Sequence, residues 1–463
     1  MRQFYNEHKK EIFLFLLMLF LELAMIFVLS QKNGIDIFFR NDANEFQILV
    51  KNIINHRDFS LETSAPFLPT NFRTPGYVSF LLIIYLIFSS FKPAIFIGAA
   101  IFALSAPLAY LIGKEIFQEK IAFLAAILFA IEPWAIFQSG FLIAEQIFLP
   151  VFLLSIYLFC GYLKENNRQL LYWSSLFMGL AVLTRPLALF FIIIFIVFAF
   201  ISEFRFSFKK SLTMTVLTFL IFILILSPWI IRNKIVLNTW KVSSVSDVSL
   251  YIENYAMLEK YLGKMKPDED INEVGRLFLG TKSYGEAQRA NNAQILANVA
   301  LREIKANFGS YLKMHFQALP LFLIRNSYGN IFFDLKISGA DIQSDIGRNL
   351  LNKDFASLFV LVKNASISSK ILIVMAFFWP IIIILAIIGI FAKFKADPRN
   401  LIFWFLILWL GYFFALTGNL RDISRYKLAV NAPLFAFAVF GFYRIYNFLK
   451  NSWQLKRAFG RKN

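Results

Sequence analysis

Runs of about 20 apolar residues recur along the chain, separated by short polar connections. They fall at 12–30, 93–113, 121–137, 141–163, 170–185, 187–203, 212–231, 371–392, 401–417 and 428–449. Each predicts a membrane-spanning helix, because hydrocarbon about 30 Å thick needs about 20 residues at ~1.5 Å rise. A further apolar piece, 77–91, has only about 15 residues, or about 22 Å as a helix, which is short for a crossing. One stretch between the runs is not explained by lipid. Arg40–Tyr77 reads RNDANEFQILVKNIINHRDFSLETSAPFLPTNFRTPGY, mixing acids, bases and prolines.

The basic residues orient the runs. Lys114 and Lys120, Lys164 and Arg168, Arg205, Lys209 and Lys210, and Lys393, Lys395 and Arg399 sit in short connections. Lys9 and Lys10 precede the first run, and Lys450, Lys456, Arg457, Arg461 and Lys462 follow the last. The positive-inside rule puts all of these in the cytoplasm. If 77–91 crossed fully, every later connection would change sides. The expectation is therefore a half-membrane or interfacial element there, ten crossings and both termini cytoplasmic. Two features then face outside: the stretch after the first helix and a long loop from Arg232 to about Ser369. The basic start and long first run, with no small-residue cleavage site, read as a retained helix rather than a signal peptide.

The fold class expected is all-α, a polytopic helical membrane protein. Its parts are a seven-helix module over 1–231 that includes a first external loop at 31–92, a long, partly helical external loop at 232–370, C-terminal helices at 371–449 and a basic tail at 450–463. In the long loop, 286–316 has a helical pattern with Ile295, Val299, Leu301 and Ile304 among charged positions, and 317–325 is apolar enough for an interface. Asp268, Glu269 and Asp270 read as a solvated run rather than a metal site.

A mean hydropathy of +0.62 excludes an assembly of soluble domains. The net charge of +18 does not point to nucleic acid, since the bases lie in loops and tail and no aromatic-studded basic domain exists. The single cysteine, Cys160, excludes an intrachain disulfide or a cysteine metal cluster. No P-loop, dinucleotide fingerprint or nucleophile elbow is present, and no inverted repeat marks a transporter.

The candidate chemistry lies in polar islands. Asp42 and Glu45 are three residues apart, so on a helix they share a face, with Phe46, Leu49, Val50 and Ile53 as the apolar side. Two readings stay open: a general base on a hydroxyl or amine acceptor, or solvated acids of an interfacial helix. Arg73 precedes Thr74-Pro75-Gly76, and at headgroup level its fork suits a phosphate or a lipid headgroup. Glu132 and Glu145 flank an external hairpin, and Arg185-Pro186 marks an external turn. Burying such charges costs about 2.5–3.5 kcal/mol each, so they should meet water, a partner or a ligand. Glu22 falls mid-span, where the default is a paired or protonated acid. Ser227-Pro228-Trp229 with Arg232-Asn233 ends the seventh run. Arg421, Asp422, Arg425 and Tyr426 crowd the last external turn, a loop or part of a convergent anion site. His8, His56 and His315 lack metal-motif spacing; His56 and His315 face outside.

Taken in order, DANEF after the first helix, FRTPGY, EPW and AEQIF, LTRP, SPWIIRN and RYKLAVNAPL resemble the GT-C class of membrane glycosyltransferases. The branch they resemble is the bacterial one related to protein O-mannosyltransferases and aminoarabinose transferases. The resemblance implies a GT-C fold of about ten transmembrane helices, with interfacial helices in the first external loop. The implied activity is inverting transfer of a sugar from a polyprenyl-phosphate carrier to an extracytoplasmic protein, lipid A or envelope glycan. It makes Asp42 the catalytic acid and Glu45 a secondary one, and places Arg73, Arg232, Arg425 and Tyr426 on the donor phosphate. Glu145, Arg185, Asn233 and His56 become cavity or acceptor residues. It leaves a divalent cation open, with no ligand set to assign, and it adds no nucleic-acid partner; the oligomeric state is not addressed. Phe46 stands where many relatives have tyrosine, and no large soluble C-terminal domain follows, which argues against an aminoarabinose assignment. A transporter or flippase for a lipid-linked sugar is the alternative, because it too would want external arginines and a lateral opening.

Overall fold

The computed structural model describes residues 2–40, 42–204, 206–264, 288–338, 342, 354–417 and 423–459. The acidic run 268–270, Arg421 and Asp422 lie outside the described residues. The described chain is helical, and within it the strand-like pairing consists of a single bridge between Ser60 and Pro69.

The first half comprises α1 (Arg2–Asn33), α2 (Asp42–His56), α3 (Pro75–Phe88), α4 (Lys92–Ala103), α5 (Ser105–Lys114), α6 (Glu119–Ala130), α7 (Pro133–Gln138), α8 (Glu145–Glu165), α9 (Arg168–Thr184), α10 (Ile192–Phe204) and α11 (Phe208–Leu237). The segment after α11 contributes α12 (Val245–Ser249), α13 (Ala256–Tyr261), α14 (Ala290–Ala306), α15 (Phe308–Ile324), α16 (Tyr328–Asp334) and α17 (Phe355–Asn364). The last part holds α18 (Ile367–Ala376), α19 (Phe378–Ala396), α20 (Leu401–Thr417), α21 (Ile423–Lys427) and α22 (Asn431–Phe459).

Among the described residues, seven helical stretches are long and apolar enough to cross a membrane: Glu7–Asn33, Lys92–Lys114, Glu145–Glu165, Pro186–Phe204, Phe208–Leu237, Ile367–Ala396 and Ser424–Asn451. The chain is a multi-pass membrane protein. The other three apolar runs form shorter helices, of 12 residues in α6 and 17 each in α9 and α20. The run 121–137 breaks because Pro133 removes a backbone donor and Glu132 caps a new helix, its carboxylate accepting the Ala135 amide at 2.7 Å.

The charged residues sort to two ends of the bundle. At one end Lys10 pairs with Glu119 at 2.5 Å, Lys164 with Glu115 at 3.0 Å, and Lys210 with Glu203 at 2.6 Å. The hydroxyls of Tyr162 and Ser202 meet there at 2.9 Å, so α8 and α10 finish together. At the other end stand the start of α8, the finish of α9 and the start of α3: Thr74 donates to the Thr184 carbonyl at 3.2 Å.

The path of α3 fixes how the chain passes between these ends. Tyr77, near its start, donates to Gln146 Oε1 at 2.7 Å. A Cβ on Gly98, in α4, would lie 2.5 Å from the same Gln146 side chain. Between Tyr77 and Gly98 the chain has therefore gone out and come back to one depth, and α3 makes no net passage from end to end. Its 14 residues reach only about 21 Å.

Glycine sets the closest helix crossing. A Cβ on Gly389 would fall 1.9 Å from the Phe437 carbonyl oxygen, and one on Gly441 2.0 Å from that of Leu385. The backbones of α19 and α22 touch where both lack side chains, as small residues allow in lipid. Gly441→Ala should lower the melting temperature in detergent, by the equivalent of about 1–3 kcal/mol. Gly411→Ala, with nothing within 4 Å of its new Cβ, should hold or raise it through helix propensity.

One expectation needs correction. The helix expected in 286–316 exists as α14, but its buried face is Ala293, Leu296, Ala297, Ala300 and Ile304, while Ile295 and Leu301 are 47% and 43% exposed. Alanines at helical spacing carry the packing. Glu132, expected to meet water, a partner or a ligand, is buried and meets partners within the protein: besides capping α7 it accepts the Tyr328 hydroxyl at 3.0 Å. Glu22 is also fully buried, and among the described residues neither of its carboxylate oxygens has a hydrogen-bond partner.

Candidate active site

α2 begins at Asp42 and turns Ala43, Phe46, Leu49 and Val50 inward, and its two acids lie along the edge of that face, one turn before Phe46 and Leu49. Phe46 packs edge-on against Tyr77, with ring centroids 4.8 Å apart, and this seats α2 on α3. Arg73 reaches the acids from the segment entering α3. Thr74 is extended, as expected before a proline, and Pro75 opens the helix. Gly76 permits the close approach to α9, since a Cβ there would meet the Leu183 carbonyl oxygen at 2.7 Å. This short, locally encoded arrangement aims the Arg73 side chain back over Phe46 and along the acidic face.

Arg73 donates through Nη2 to Asp42 Oδ1 at 2.8 Å and through Nε to Glu45 Oε2 at 2.6 Å. Arg425, from α21, donates through Nη2 to Asp42 Oδ2 at 2.9 Å. Its Nε and Nη2 also reach Glu145, at 2.7 and 3.0 Å. Arg185, where α9 ends, donates to Glu145 Oε1 and lies over the Tyr426 ring at 4.9 Å. The result is one chain of alternating charge: Glu45, Arg73, Asp42, Arg425, Glu145, Arg185. Among the described residues these three carboxylates face three guanidiniums, so the six side chains together are neutral.

Burial alone would raise the Asp42 carboxyl. Arg73 and Arg425, one on each oxygen, outweigh it and hold the group well below the usual carboxylate range. Burial works likewise against the Arg73 cation, and Asp42 and Glu45 overcome it. As it stands Asp42 is fully ionised but poorly basic, and each arginine is engaged by acids.

The structure brings together Asp42, Glu45, Arg73, Glu145, Arg185, Arg425 and Tyr426. Arg232, Asn233 and His56 lie apart from the charged chain. Arg232 donates to the Thr70 carbonyl at 2.7 Å and to Asn233 Oδ1 at 3.0 Å, and it stacks over Trp229. Asn233 donates to the Lys241 carbonyl at 3.0 Å. These two residues clamp the approach to Arg73 against α11 instead of facing the acids. His56 stacks on Phe67, with centroids 3.9 Å apart.

Other polar partners carried no signal in the sequence. Arg40 forms a two-pronged ion pair with the buried Asp334, tying the entry of α2 to α16. Lys427 is buried over the Trp379 ring at 3.9 Å and donates to the Arg325 carbonyl. Gln288, just ahead of α14, donates to Glu45 Oε1 at 2.9 Å. Among the described residues no three His, Cys, Asp or Glu side chains converge as ligands for a cation.

The network of acids and arginines thus lies at one end of a helical membrane bundle. Residues 73–231 match the family of dolichyl-phosphate-mannose-protein mannosyltransferases. No curated protein matches the chain. Among solved structures, the oligosaccharyltransferase AglB from Archaeoglobus fulgidus, in complex with an inhibitory peptide and a dolichol-phosphate, aligns at TM-score 0.52 and 15% identity over 98% of this chain and 52% of that one. The apo form of the Archaeoglobus fulgidus oligosaccharyltransferase aligns at 0.48 and 16% identity, over 96% and 52%. The chain thus spans about half the length of the solved proteins it resembles.

Proposed function

We propose that this chain is an inverting glycosyltransferase that moves a sugar from a polyprenyl-phosphate carrier to an acceptor outside the cytoplasm. The observation that carries the reading is the double grip on Asp42 by Arg73 and Arg425, which joins an acid and two phosphate-suited forks in one polar cluster. The match of 73–231 to a family named for a lipid-phosphate sugar supports it.

In this reading the three shorter helices also cross, giving ten spans, and the end holding Lys10, Lys164 and Lys210 is cytoplasmic. The site is then external. A neutral cluster takes up an anion by exchange: the carrier phosphate draws Arg73 and Arg425 toward itself and loosens both from Asp42. Its basicity returns as the donor arrives. Asp42 then accepts the proton of the acceptor hydroxyl or amine while the acceptor atom attacks the anomeric carbon. The bond from that carbon to the phosphate oxygen breaks, the electron pair stays on the phosphate, and the guanidiniums balance the charge. One displacement inverts the anomeric centre and needs no covalent enzyme intermediate. Glu145 and Arg185 hold Arg425 in register, and Tyr426 shields Arg185. Arg232 serves the donor side indirectly, by holding the 70–73 segment.

The test is to place the protein in vesicles with a panel of undecaprenyl-phosphate-linked hexoses and pentoses, each supplied with a hydroxyl-bearing peptide, lipid A or an envelope glycan as acceptor. Protein-dependent release of undecaprenyl phosphate is the expected result. Intact carrier-linked sugar moving between leaflets would contradict it and favour a translocator.

A further inference from the structure

Glu45 has two grips of different origin. Arg73 Nε holds Oε2 at 2.6 Å, within the first external segment. Gln288 Nε2 holds Oε1 at 2.9 Å, from a position 243 residues further along. Gln288 is 6% exposed, so this amide is shielded from competing water. The Ser244 hydroxyl donates to the Gln288 main-chain carbonyl at 3.4 Å. Ser243 donates to the Phe72 carbonyl at 2.6 Å, the Ser244 amide to the Asn71 carbonyl at 3.3 Å, and Ala293 packs with Phe72 and Val248. The same segment that presents Arg73 is thus the floor on which Gln288 stands.

We infer that Gln288 is a positioning residue for the transfer reaction, acting through Glu45 on Arg73 and so on Asp42. The inference rests on the transferase reading above. A carboxylate gripped on one side only can rotate; gripped on both, it fixes the plane in which it receives Arg73. Arg73 must give up part of its hold on Asp42 when the donor phosphate arrives, and Glu45 is what then keeps it aimed. The long external loop thereby completes the site through one hydrogen bond, in addition to any role in holding an acceptor. The charged groups around this bond are Glu45, Arg73 and Asp42 on the α2 side, the exposed pair Arg289 and Glu62 at 3.0 Å, and the pair Lys241 and Asp247 at 2.7 Å beside α12.

The experiment compares the reconstituted wild-type chain with Gln288→Met, Gln288→Glu and Arg289→Ala, using whichever carrier-linked sugar of the panel the wild type consumes. Gln288→Met keeps the shape and removes the donor. Its kcat should fall about tenfold, the scale of a lost hydrogen bond to a charged group, with the donor KM within about twofold. Gln288→Glu sets a second carboxylate against Glu45 at neutral pH and should fall further. Once protonated, that new carboxyl can donate an O–H to Glu45, so its kcat relative to wild type should climb about tenfold between about pH 8 and pH 5, while the Met ratio stays flat. Asp42 remains ionised over that range, because its arginines hold it below the ordinary carboxylate values. Arg289→Ala loosens loop docking without touching Glu45 and should leave kcat unchanged. Equal kcat for Gln288→Met and wild type, or Met and Glu variants that fall together with flat pH ratios, would overturn the inference and leave the transferase reading standing. A wild-type chain that consumes no carrier-linked sugar would overturn both.

Discussion

Asp42→Asn should lower turnover by about 10²- to 10⁴-fold while carrier binding survives or tightens. Asparagine keeps the size of the side chain and can still accept from Arg73, but it loses the charge and cannot take a proton from the acceptor. The cluster, balanced in the wild type, becomes positive by one charge. That surplus favours an anion, so the affinity for undecaprenyl phosphate should not fall. Kinetics and a lipid titration on the same preparation check both halves. The sign of the pH effect also follows from the geometry. A carboxyl held below its usual range stays ionised as pH falls through the ordinary carboxylate region, so Asp42 should impose no acid limb on kcat/KM for the donor there. With donor bound and the arginines drawn to the phosphate, kcat should fall in that same region.

Arg425→Ala should be comparably severe but should fail differently. Arg425 contacts one oxygen of Asp42 and both of Glu145, and the Glu145 side chain is only 3% exposed. Without it, Glu145 keeps Arg185 alone, Asp42 is released on one side, and the cluster becomes net negative just where a phosphate must enter. Donor KM should rise and kcat should fall, by about 10²–10³-fold together. Arg425→Lys should restore little, because a single ammonium cannot span two carboxylates as the planar fork does. Asp42→Asn and Arg425→Ala thus move carrier affinity in opposite directions, which a merely structural role for either residue would not produce.

What the sequence made legible was local. The acids of α2 and their apolar face follow from three-residue spacing, and the Arg73-Thr74-Pro75-Gly76 turn from the stereochemistry of proline and glycine. The shortness of α3 could be counted, and the bond from Tyr77 to Gln146 now gives it a path with no net passage. Pairings across the chain were not legible: Arg425 and Glu145 are 280 residues apart, and their charges alone resemble loop residues. Arg232 and Arg73 read alike as phosphate ligands because sequence shows the guanidinium but not the Thr70 carbonyl that occupies Arg232. For Glu132 sequence likewise leaves water, a partner and a ligand open, its partners being an amide of the next helix and the distant Tyr328 hydroxyl. Gln288 was invisible in a polar stretch, where an amide that points at a site reads like one that points at water.

The central claim is a single displacement at the anomeric carbon of a carrier-linked sugar, with Asp42 as base. The most direct measurement is the anomeric configuration of the transferred sugar, read by NMR from product made by the reconstituted wild-type protein, with Asp42→Asn run alongside. The expected result is the anomer opposite to that of the donor, one undecaprenyl phosphate released per sugar transferred, and almost no product from the variant. Retention of configuration, or near-normal product from Asp42→Asn, would contradict it.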